Sequence, residues 1–119
     1  LAKLVQYDFS RGLPKELENI QFDYIISTYA MHHLEDEDKI KFINKLEKYL
    51  SRDGRIIIGD IAFETRELLE QCKVKYENYW DDEEIYFVFD ELKEFFPEED
   101  ISFTTISHCA GIIQLRKLP

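Results

Sequence analysis

The sequence has little of what staples small or extracellular folds. It has two cysteines, Cys72 and Cys109, too few and too far apart for a disulfide framework or a CxxC pair, so free thiols in a reducing cytoplasm are the simpler reading. Its four glycines, Gly12, Gly54, Gly59 and Gly111, are scattered, and no GxGxG run occurs among these residues. No apolar run approaches the ~20 residues that a membrane-spanning helix needs, and no secretory leader is visible. Basic residues are outnumbered, 15 Lys and Arg against 25 Asp and Glu, for a net charge of −10. That charge repels phosphate backbones and anionic bilayers, so neither nucleic acid nor a membrane is an expected partner. Repeats and low-complexity tracts are also missing.

What is present suits one soluble domain. The chain has 119 residues, enough for one domain and not two. It is 45% hydrophobic and 34% charged, with nine Phe, seven Tyr and one Trp as core material. It opens on Leu1 rather than Met, and its first residues read as the end of a strand, as though cut from something longer.

Periodicity lays out an α/β order. Leu1–Tyr7 reads as a strand or its last part, and Arg11–Pro14 as a turn. Phe22–Ser27 carries Tyr24-Ile25-Ile26, the short apolar run of a strand buried on both faces. Asp36–Leu50 reads as a helix: three acids crowd its first turn, and Ile40, Ile43, Leu46, Tyr49 and Leu50 form one apolar face. Ser51–Gly54 is expected to stop that helix, with Gly54 able to take a positive φ. Arg55–Gly59 is a second β-branched run. Strand, helix, turn and strand make a βαβ unit with parallel strands. Asp60–Glu64 is then a loop and Thr65–Tyr76 a helix. Ile85–Val88 fits helix or strand, and Asp90 is placed to cap a helix running to Phe96. Ile101–Ser107, a turn to Gly111, and Ile112–Arg116 make an antiparallel hairpin.

Three stretches together resemble the class I, Rossmann-like, S-adenosylmethionine-dependent methyltransferases, on the small-molecule side of that family. YDFSRGLP, Tyr7–Pro14, resembles the acidic turn after the third strand. FDYIISTYAMHHLED, Phe22–Asp36, resembles the fourth strand and its loop. LEKYLSRDGRIIIGD, Leu46–Asp60, resembles the helix, turn and fifth strand, and the SFTTIS…GIIQLRK ending resembles the last two strands. The resemblance implies half of a Rossmann-like methyltransferase sheet, strands 4-5-7-6 with the last strand antiparallel, flanked by helices. It also implies that residues 1–119 are the C-terminal part of a single methyltransferase domain whose glycine-rich cofactor-binding part lies outside them. Without a neighbouring first strand, Tyr24–Ile26 would be a flat apolar edge, a liability that stable monomers avoid.

The candidate site residues follow from that placement. The resemblance makes Asp8 the acceptor for an adenine amino group and gives the Phe9 backbone amide to a ring nitrogen. Ser27, Thr28 and Tyr29 line the methionine end of S-adenosylmethionine. There is no NPPY or DPPY run here, which, with the acidic charge, argues against methylation of nucleic-acid bases. His32 reads as a histidine that packs on the sheet and hydrogen-bonds a backbone group. The resemblance puts His33 at a position that often borders the transferred methyl group in related enzymes, as an acceptor contact or a base, or else as a structural residue. Metal ligation is not expected, because adjacent histidines on one turn rarely chelate one ion and a structural zinc site needs four well-spaced ligands. Asp60 is a substrate contact or a cap. Tyr76, Tyr79, Trp80, Tyr86 and Phe87 are part of a substrate lid or a satellite core, and Asp81–Glu84 a solvated loop.

The expected function is methyl transfer from S-adenosylmethionine to a small-molecule acceptor by a longer cytoplasmic enzyme, these residues alone being inactive. The alternative is a non-enzymatic α/β module whose exposed edge strand binds a partner. A homodimer is compatible with either.

Overall fold

The structure is a computed structural model and describes Lys15 and residues 19–118. The expected strand end Leu1–Tyr7 and the turn carrying Asp8 and Phe9 lie outside the described residues.

The two β-branched runs pair at one side of the sheet, with β1 as its edge. Strand β1, Phe22–Thr28, lies parallel to β2, Leu50–Phe63, with Ile25 opposite Ile56 and Ile26 opposite Ile57. Between them runs helix α1, Asp36–Glu47, which completes the expected βαβ unit. Its acidic first turn suits the positive end of the helix dipole, and Ile43 and Leu46 point into the core. The helix ends three residues earlier than its apolar pattern suggests, because Leu50 already pairs with Phe22.

The expected turn Ser51–Gly54 is absorbed into β2 as an irregularity. Phe22 pairs with Leu50 and Tyr24 with Arg55, so the two chains advance unequally there. Gly54 is needed for space, not for a positive φ. A Cβ at Gly54 would lie 2.8 Å from the Phe22 carbonyl oxygen.

Strand β2 also runs past its expected end, through Asp60 to Phe63, because it gains partners on both sides. The two-residue strand β3, Phe87–Val88, pairs parallel with Ala62 and Phe63. Strand β5, Ala110–Lys117, runs antiparallel to β2 and to β4, Glu99–Thr105. The main sheet order is β1-β2-β5-β4, the order expected for strands 4-5-7-6, with the chain's last strand reversed between its neighbours.

One sheet face carries the core. Ile56, Ile58, Ile113 and Leu115 are buried there with Ile43, Leu46, Phe87, Leu92 and Phe96. Helix α2, Arg66–Lys75, is capped by the Thr65 hydroxyl, which accepts from the Leu68 amide. It packs Leu69 against Phe63 and Val88, with Cys72, Trp80, Tyr86 and Cys109 beside them. The expected cap at Asp90 does not form. The helix α3, Phe89–Leu92, starts one residue before Asp90 and passes into a 3-10 turn, Lys93–Phe95, because Phe89 and Leu92 both turn into the core. On the opposite sheet face Tyr24 and Ile26 are 63% and 67% exposed, an uncovered apolar surface on β1.

Candidate functional site

Parallel neighbours end side by side, so β1 and β2 open onto one rim. The first residue past β1, Tyr29, has a left-handed backbone (φ 51°), unusual for a residue with a side chain. Its amide donates to the Gly59 carbonyl at 2.7 Å, which pins the turn to β2. Such a conformation costs on the order of 1 kcal/mol and is held by its surroundings.

The fixed point of the rim is Asp60, 1% exposed. Its carboxylate accepts from the Met31 amide at 3.0 Å, from its neighbour's Ile61 amide at 2.8 Å, and lies 2.9 Å from His32 Nδ1. It therefore shapes the loop after β1 from across the strand pair. His32 is packed as expected, but its ring meets two side-chain carboxylates rather than a backbone group. Its Nδ1 faces Asp60 and its Nε2 lies 3.1 Å from Glu84 Oε2. Glu84 also accepts from the Tyr86 hydroxyl at 3.0 Å. Burial, and then this bond to Glu84, push the Tyr86 phenol up to about 12, so it stays a donor.

The segment carrying Glu84 is tied down from below. The Ile85 amide donates to the His32 carbonyl at 2.8 Å, and the Lys39 ammonium donates to the Ile85 carbonyl. Lys39 is 1% exposed, lies over the Phe87 ring, and has Asp36 at 3.6 Å. Burial lowers its pKa, and Asp36 offsets part of that shift.

Ser27 is half-buried at the end of β1, and Thr28 and Tyr29 are exposed on the rim. His33 is exposed beside His32, with ring centroids 4.1 Å apart. Thus Ser27, Thr28, Tyr29 and His33 share one rim, while Asp8 and Phe9 are not described. Two residues of the rim escaped the sequence reading. Glu84 sits in an acidic run that reads as solvated, and no local pattern marks it as His32's partner. Lys39 did carry a signal: with Ile43 and Leu46 it continues the stripe that α1 buries. Two cavities of about 310 and 320 Å³ lie elsewhere, one between α1 and α3 and one between α2 and the β4–β5 hairpin; neither is lined by Ser27, His32 or Asp60. Among the described residues no helix is long and apolar enough to cross a membrane.

No family model matches the chain. It is 35% identical over 103 residues to an uncharacterized methyltransferase, YrrT, of Halobacillus halophilus, covering 78% of this chain and 48% of that protein. It is 35% identical over 86 residues to the Bacillus subtilis protein described in the same words, covering 66% of this chain and 40% of that one. The chain resembles bacterial methyltransferases. It spans about half or less of the length of these curated relatives. Solved structures agree on the fold. The protein in a DhpI–SAM–HEP complex superposes with a TM-score of 0.68 at 15% identity, over 94% of this chain and 56% of that one. The mitomycin 7-O-methyltransferase MmcR gives 0.67 at 12% identity, over 98% and 34%. The Rossmann-like methyltransferase architecture expected from the sequence is the one observed.

Proposed function

We propose that these residues are the C-terminal part of a single class I methyltransferase domain, and that the whole protein transfers a methyl group from S-adenosylmethionine to a small-molecule acceptor. The observation that carries this reading is the parallel pairing of β1 and β2, which opens Ser27–Tyr29 and Asp60 onto one rim. Two further facts support it. The β1 face holding Tyr24 and Ile26 lacks a cover among the described residues, and the relatives are about twice as long. A parallel sheet normally has helices on both faces. Fold neighbours described as complexes with SAM or SAH support the cofactor.

In this reading Asp8 accepts from the adenine amino group and the Phe9 amide meets a ring nitrogen. Ser27, Thr28 and Tyr29 border the methionine end, and His33 contacts the acceptor. The sulfonium methyl is already activated, so the protein mainly aligns acceptor, methyl and sulfur. A base is needed only where the acceptor must lose a proton. Asp60 and His32 hold the loop that places His33.

Calorimetric titration of the full-length protein with S-adenosylhomocysteine tests the proposal. Saturable binding that weakens about tenfold or more in Asp8→Ala, as loss of a charge-assisted hydrogen bond implies, is the expected result. A folded full-length protein that takes up no S-adenosylhomocysteine would instead favour the module whose β1 edge binds a partner.

A further inference from the structure

A second ligand chemistry is written into the same rim. The Nδ1 atom of His32 faces the buried Asp60 carboxylate at 2.9 Å, so that nitrogen carries the ring proton. In the neutral ring Nε2 then bears a lone pair, and it points at Glu84 Oε2 from 3.1 Å. Two electron-rich atoms at that distance need a positive centre between them, a proton or a cation. His33 stands on the open side, and one ligand atom from each of His32, His33 and Glu84 lies within 4.8 Å of the others.

We propose that His32 Nε2, His33 and Glu84 bind one divalent transition ion of the zinc type. Bonds of about 2.1 Å to a tetrahedral ion place ligand atoms about 3.4 Å apart. The His32–Glu84 pair is already close to that spacing at 3.1 Å. His33, the exposed member, closes the rest by turning its ring. Adjacent histidines on a strand would point to opposite faces. Here they stand in the turn after β1, which sets their rings side by side at 4.1 Å.

The surroundings are those a metal-bound imidazole takes. A buried carboxylate behind Nδ1 fixes the tautomer and makes Nε2 a better ligand. Asp60 is itself held by the Met31 and Ile61 amides. Glu84 is steadied by the Tyr86 hydroxyl, and its segment by Lys39 through the Ile85 carbonyl. Imidazole and carboxylate donors suit zinc, cobalt or nickel rather than calcium or magnesium. Three protein ligands leave one position open for water or for an acceptor oxygen. Only that last role rests on the methyl-transfer reading; the ion site stands without it.

The test is a titration of chelator-stripped full-length protein with Zn²⁺ against a chromophoric chelator. A parallel Co²⁺ titration is followed by visible absorption. One equivalent should bind, Co²⁺ should give the intense bands of a four-coordinate ion, and His33→Ala and Glu84→Gln should each weaken binding at least tenfold. Asp60→Asn should weaken it by about 10- to 100-fold, as loss of an imidazole's supporting carboxylate does. His33 is exposed, and Glu84→Gln keeps the size and an acceptor oxygen of a partly buried side chain, so both variants keep the fold. No stoichiometric binding, or binding untouched by both of these changes, overturns the site. S-adenosylhomocysteine is titrated in the same samples. Cofactor binding without metal binding removes the ion and leaves methyl transfer standing, whereas metal binding without cofactor binding does the reverse.

Discussion

Asp60 offers the sharpest stability test, because one buried side chain answers three donors. In Asp60→Ala the interior Met31 amide loses its acceptor, at a cost of about 1–3 kcal/mol for an unpaired buried donor. The Ile61 amide is only partly buried, so water recovers part of its loss. The bond to His32, which involves a carboxylate, adds about 1.5–3 kcal/mol. Together these predict a loss of about 3–5 kcal/mol, a large share of the roughly 5–15 kcal/mol that holds a domain folded. Asp60→Asn separates hydrogen bonding from packing. Its oxygen can keep His32 and Ile61, while its amino group then faces the Met31 amide, donor against donor. The expected cost is about 1–3 kcal/mol. Urea unfolding of the full-length protein measures both, and the Met31 amide resonance should move most in the Asn variant. If Asp60→Ala unfolds within about 0.5 kcal/mol of the unaltered protein, the range of ordinary surface changes, Asp60 does not hold this loop.

Other consequences are equally direct. Gly54→Ala should destabilise by about 1–3 kcal/mol, the usual cost of overpacking, because its Cβ would meet the Phe22 carbonyl at 2.8 Å; thermal unfolding reads this. Burial, then the Glu99 charge, raise the folded-state pKa of Glu47, so its proton is held more tightly folded than unfolded. The stability this contributes is present below the ordinary carboxylate range and is lost as pH rises through the folded value. Glu47→Gln should therefore raise Tm at pH 7 and have little effect near pH 3, which a pair of melting curves checks. Arg66→Ala should leave Glu91 without its two-pronged partner (2.9 and 2.7 Å) yet cost no more than about 1 kcal/mol, since both groups are half exposed. His33→Ala should lower methyl transfer by about 10²–10⁴-fold, if His33 serves as the base, with S-adenosylhomocysteine affinity unchanged in calorimetry.

The fold was legible where side-chain period and sheet geometry agree. Tyr24–Ile26 and Ile56–Ile58 announce two neighbouring strands, and the stripe through Ile43 and Leu46 announces the helix between them; burial of Tyr24–Ile26 on both faces is not what forms, since Tyr24 and Ile26 stay exposed on the β1 edge. The reversed last strand followed from family likeness, since nothing local in Ala110–Lys117 says which strand it will join. Boundaries failed where tertiary partners overrode local signals. Ser51–Gly54 reads as a turn by composition, but Phe22 recruits it into β2. Asp60–Phe63 reads as a loop, but β3 and β5 extend the strand. At the site, the sequence placed Ser27–Tyr29 and His33 on one rim. It could not show that Glu84, 52 positions after His32, would close on its ring. It also could not show Tyr29's left-handed backbone, because a tyrosine carries no signal for it.

Hydrogen exchange of the full-length protein, with and without S-adenosylhomocysteine, bears most directly on whether the ends of β1 and β2 form a cofactor wall. Amides from Ser27 to Tyr29 and around Asp60 should slow together on saturation, while those of the β4–β5 hairpin stay unchanged. Protection confined to residues far from that rim, or absent at saturating ligand, would contradict it.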